Sequence, residues 1–193
     1  MSALRLSAAL ACAALVLAAG CEARPPAEAQ GRDVVRPALG FAVDVPPGWT
    51  FRELFGDVVL EMFPQAPAAP PAKAETPPAA PRAEARLRTV IHVVVIDREG
   101  VTLDAWADQA VKESQDLQGD LAVLSRTPTR LADGREALLV VLKNPRGAEP
   151  LVQRMLLAMT EKRACGVLAT GPESDMASAD AAIKKCFDSF VAW

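Results

Sequence analysis

The stretch Leu87 to Asp97 reads LRTVIHVVVID, and from Val90 to Ile96 both alternating sets of residues are apolar except at His92. Successive strand side chains point to opposite faces, so such a run presents apolar surface on both sides. A strand of this kind belongs in the middle of a sheet that is covered above and below. The rest of the chain therefore has to supply neighbouring strands and material for both faces.

Shorter strand-like runs surround it. Gly40 to Val45 sets Phe41, Val43 and Val45 against Ala42 and Asp44, as a half-buried strand does. Pro46-Pro47-Gly48 makes a turn, since proline fixes φ and glycine accepts a positive one. Two further strands are expected at Thr50 to Leu54 and Asp57 to Phe63, around Gly56. Thr102 is placed to cap a helix with Asp104 in its first turn. Leu103, Trp106, Ala107, Ala110, Val111 and Leu117 form its apolar stripe, and Gly119 ends it. Leu121 to Arg126, Arg135 to Lys143, Leu151 to Thr160 and Cys165 to Thr170 read as a meander, with turns at Asp133-Gly134 and Asn144-Pro145-Arg146-Gly147. Glu173 to Val191 reads as one closing helix with Met176, Ala179, Ile183, Cys186, Phe187 and Phe190 on its inner side. The expected fold class is α+β, a central antiparallel sheet flanked by helices.

Pro64 to Arg86 interrupts this pattern with 23 residues of mostly Pro and Ala. That composition cannot bury enough apolar surface to offset its ordering entropy, so 64–86 is expected to be a disordered insertion. The N-terminus is also not part of the domain. Arg5 followed by the apolar run Ser7 to Ala19 makes a secretory leader, too short for a hydrocarbon layer that needs about 20 residues. Leu17-Ala18-Ala19-Gly20-Cys21 resembles the lipobox of bacterial lipoproteins, in which the cysteine is acylated and becomes the new N-terminus. The resemblance implies a leader over 1–20, a lipid on Cys21, membrane attachment and an envelope location facing the periplasm or the exterior. Residues 21–36 (CEARPPAEAQGRDVVR) then read as a polar tether, leaving 37–193 as one domain. Without the leader the net charge moves from −3 to −4 with no basic block, which excludes a nucleic-acid partner.

The order of these elements, with FAVDVPPGW at 41–49, TLDAW at 102–106, GREA at 134–137 and Ser189-Phe190 near the end, resembles the PsbP-like family, including bacterial DcrB-type lipoproteins. The likeness covers roughly residues 39–63 and 87–191. It implies a sheet flanked by helices that is used for binding or assembly, and it carries over no catalytic residue.

Cys12 leaves with the leader and Cys21 takes the lipid, so Cys165 and Cys186 remain in an oxidising compartment where pairs bridge. A strand rising about 17 Å from Cys165 to Thr170 and a helix returning about 18 Å to Cys186 would bring the thiols level, which predicts a disulfide. The one histidine, His92, alternates with Val90, Val94 and Ile96, with no second imidazole or cysteine ligand beside it. There is no GxSxG, P-loop or GxGxxG. The chain thus reads as a non-enzymatic envelope module without cofactor or metal. Trp49 and Trp106 are the aromatic candidates for anchoring a protein partner. The competing reading is a carrier of a small ligand or metal in a pocket between sheet and helices.

Overall fold

Residue 29 opens the computed structural model, which describes residues 29–65, 88–144 and 149–193. The leader, Cys21 and almost all of the Pro/Ala-rich stretch lie outside these residues. The elements run β1 (Val34–Arg36), β2 (Phe41–Val43), β3 (Trp49–Glu53), β4 (Val58–Pro64), β5 (Val90–Asp97), α1 (Leu103–Gln118), β6 (Ala122–Arg130), β7 (Glu136–Asn144), β8 (Leu151–Met159), β9 (Arg163–Pro172), α2 (Glu173–Ser178), α3 (Asp180–Ser189) and β10 (Val191–Ala192). Seven strands form one antiparallel sheet in the order β3-β4-β5-β9-β8-β7-β6. β5 is interior, as its two apolar sides require, and pairs β4 on one side and β9 on the other.

Each face of the sheet carries its own core. On one, Leu60, Met62, Ile91, Val93, Val167, Ala169 and Leu156 pack under α2, α3 and a small sheet of order β1-β2-β10. On the other, Val94, Val140, Leu142, Met155 and Leu157 lie beneath Trp106, Ala107, Ala110 and Val111 of α1. The Thr102 hydroxyl accepts the Ala105 N–H and so caps α1. The architecture is the α+β sheet flanked by helices that the hydrophobic pattern requires.

Three boundaries depart from the sequence reading. Residues 34–36, expected in the tether, belong to the domain instead, because β1 pairs with β2 and Val34 is buried. Arg32 donates to Asp44, and Asp33 accepts the Val45 N–H, which fastens the preceding residues as well. Two valines inside a polar segment are too short a run to show period-two patterning. The closing helix is two helices, broken at Ala179 with no glycine or proline to announce it, and it ends at Ser189 so that Val191 can enter the small sheet. β6 runs on to Arg130 through Pro128, which an edge strand tolerates because its outward N–H has no partner within the sheet.

Candidate functional site

α3 crosses only part of its face of the sheet. Between it and the β6–β8 strands lies a groove of about 280 Å³. Leu139, Leu156, Ile183 and Phe187 form its apolar lining, with Thr129 at the β6 side. Arg154 of β8 pairs with Asp180 at the start of α3, and Lys184 pairs with Asp188 one turn apart along the helix. The groove therefore joins an apolar interior to two ion pairs and to Arg130, whose guanidinium donates to the Gly134 carbonyl, an arrangement suited to holding a partner by burial with a positive charge at the rim. On the other flank of α3 a more open depression of about 370 Å³ is bounded by Arg32, Asp44, Lys185 and Ser189, and it shares Lys184 and Asp188 with the first.

A polar cluster sits on the opposite face of the sheet. Glu61 of β4 accepts a hydrogen bond from Arg52 of β3 and lies 3.3 Å from His92 Nε2 on β5. The Arg52 guanidinium stacks 5.9 Å from the Phe63 ring centre. Burial by itself would raise the Glu61 carboxyl, but the hydrogen bonds and charges of Arg52 and His92 outweigh it and hold it below the ordinary value. The carboxylate is thus committed to tying three neighbouring strands together. Among the described residues, no group of three His, Cys, Asp or Glu side chains is placed to hold a metal.

The expected disulfide is not formed; Cys165 and Cys186 are both free and buried. The Cys186 sulfur faces the Asp44 carbonyl at 3.5 Å and Met62 Sδ at 3.7 Å. Met62 lies in the row Met62–Ile91–Ala169, whereas Cys165 lies in the row of Val95. That separates the two by four residues along β9, about 13 Å, and by two strand spacings, about 10 Å. One straight helix would bring the thiols level; the break at Ala179 instead sends α3 across the sheet toward β2 and β4. Burial pushes both thiols up to about 12; Asp44 adds to this at Cys186, and Arg163 and Arg135 oppose it at Cys165.

The two tryptophans are not brought together. Trp106 is 2% exposed, packs in the core beneath α1 and donates Nε1–H to the Cys165 carbonyl, so it cannot anchor a partner. Trp49 is half-buried at the start of β3 and packs against the core on the other face. Sequence patterning marks Ile183 and Phe187 as inner residues of the closing helix without joining them to a groove; the groove's other traces in the sequence are Arg154 inside the apolar run of β8 and the Lys184/Asp188 spacing.

No family model and no curated protein matches this chain. Among solved structures it is similar to the solution structure of cyanobacterial PsbP (CyanoP) from Synechocystis sp. PCC 6803, with a TM-score of 0.56 at 11% identity over 83% of this chain and 91% of that one. It also aligns with PA94 from Pseudomonas aeruginosa, a protein of unknown function, at a TM-score of 0.40 and 14% identity over 70% and 76% of the two chains. The likeness to CyanoP shows a PsbP-like fold and nothing about activity. Among the described residues no helix is long and apolar enough to cross a membrane.

Proposed function

We propose that this chain is a DcrB-type lipoprotein of the bacterial envelope, held at a membrane through an acylated Cys21, that serves as a non-catalytic binding or assembly module. The groove between α3 and β6–β8 is its binding site. What carries the reading is the apolar lining of Leu139, Leu156, Ile183 and Phe187 under a rim of two closed ion pairs and Arg130. Nothing in that rim is an activated nucleophile or an unpaired base, and burial of a partner is the chemistry it suits.

Leu139→Arg places a charge in the groove at a half-buried position. Native protein solubilised gently should co-purify with a partner that the variant loses while its circular dichroism is retained. A wild-type protein that brings down no partner, or a folded variant that keeps one, would count against the proposal. The anchor is tested separately by fractionation: Cys21→Ala should leave the membrane fraction, and a variant still bound there contradicts lipid attachment.

A second reading is a small-ligand carrier, favoured by a groove volume close to the roughly 300 Å³ at which ligand sites begin. A ligand-specific rise in melting temperature across a panel of metabolites and metals, abolished by Leu139→Arg, would select the carrier over the assembly module.

A further inference from the structure

Charge is distributed unequally over the two faces of the sheet. In the groove on one flank of α3, Arg130, Arg154 and Lys184 stand against Asp180 and Asp188. In the depression on its other flank, Arg32, Lys184 and Lys185 stand against Asp44 and Asp188. Counted once each, these are five cations to three acids, in a chain that has 21 cations and 24 acids. The exposed side of α1 leans the other way, with Asp104, Asp108, Glu113 and Asp116 against Lys112. An anionic partner is therefore drawn to α3 and repelled from α1.

The acids beside α3 are each matched: Asp44 by Arg32, Asp180 by Arg154 and Asp188 by Lys184. Two cations are left over, one on each flank. Arg130 is exposed and gives its guanidinium to the Gly134 carbonyl. Glu136 stands opposite it in the β6–β7 register and forms no ion pair with it. Lys185 is exposed and meets no carboxylate within ion-pair distance among the described residues. Both side chains keep donors open to a carboxylate.

We propose that the occupant of the groove is an acidic polypeptide segment that crosses α3. It seats an apolar side chain on Leu139, Leu156, Ile183 and Phe187 and places carboxylates at Arg130 on one flank and Lys185 on the other. The proposal rests on the groove being the binding site and names the chemistry of what binds there. A basic segment would meet two uncompensated cations and no free carboxylate on these flanks. A small anion would reach one flank alone. A helix is about 10–12 Å across and an extended chain advances about 3.3 Å per residue, so carboxylates about four residues apart straddle it. Each exposed charge contact is weak by itself; together they set orientation and salt dependence, while the apolar contact supplies burial.

Thr129 is exposed and lines the groove, so a photo-cross-linking residue placed there in the full chain captures the occupant in living cells. The joined peptide, read by mass spectrometry, should carry Asp or Glu within about five residues of the joint. Arg130→Glu and Lys185→Glu should each lower the adduct yield about fivefold or more at unchanged melting temperature, and Arg130→Lys and Lys185→Arg by less than about twofold. Lys112→Glu on α1 should leave the yield unchanged. Exchanging the captured acid for Lys should restore the adduct of the Arg130→Glu chain. A neutral or basic joined peptide, a lipid or small-molecule adduct, charge reversals without effect, or a failed exchange overturns the proposal. If Leu139→Arg abolishes the adduct while both charge reversals leave it intact, only the acidic occupant falls and the groove stands as the binding site. No adduct at Thr129 in the otherwise native chain removes both.

Discussion

Glu61 shows how a single side chain sets a measurable property. Its carboxyl is held below the ordinary value by Arg52 and His92, so the folded state binds that proton less readily than the unfolded chain does. The stabilisation is present above the unfolded carboxylate value and is lost as pH falls through the lowered folded value. Glu61→Gln should therefore flatten the acid side of the stability curve, read by urea midpoints from pH 7 downward; parallel curves for the two proteins would refute this. At the two cysteines burial dominates, and with both thiols pushed up to about 12 neither is a nucleophile at neutral pH. Native protein should leave both unmodified by a thiol reagent, and unfolding without reductant should release both. Gly171 marks a close approach of chains. A Cβ there would lie 2.8 Å from Thr89 Cα, so Gly171→Ala should cost about 1–3 kcal/mol in chemical denaturation. His92 was legible in the sequence as a strand residue. Its carboxylate partner was not, because Glu61 sits 31 residues away in a strand that reads as apolar.

At the scale of elements, hydrophobic periodicity carried the reading where strands and helices were long. β5, β7, β8 and α1 follow from alternation or from a capped stripe. The stripe on α1 is longer than the sheet it covers: Trp106 is fully enclosed while Leu117, in the same row, is 84% exposed. Trp106→Ala should then cost about 3–5 kcal/mol, and Leu117→Ala less than about 0.5 kcal/mol. Similar losses at both positions would contradict this division of the helix. The sequence could not announce β1, β10 or the break between α2 and α3. β1 and β10 have three and two residues, too few for a period, and the break at Ala179 has neither a glycine nor a side-chain cap. These unannounced pieces also decide where α3 lies. They therefore decide that the two thiols stay apart and that a groove remains open beside β6 and β7.

Among the described residues, the molecule is a two-faced sheet with a groove and a more open depression on the two flanks of α3. Its lower boundary is structural: a chain beginning at Pro37 lacks β1, and burial of Val34 alone is worth about 2 kcal/mol. Such a truncation should melt well below a chain beginning at Ala29, and equal melting would contradict the placement of β1. The central claim is that the groove between α3 and β6–β8 meets a partner in the envelope. A photo-cross-linking residue at Lys184 on the groove rim, compared in living cells with one at Glu113 on the exposed side of α1, tests it most directly. The expected result is a discrete adduct from Lys184 that disappears with Leu139→Arg and is absent from Glu113. No adduct at Lys184, or the same adducts from both positions, would contradict it.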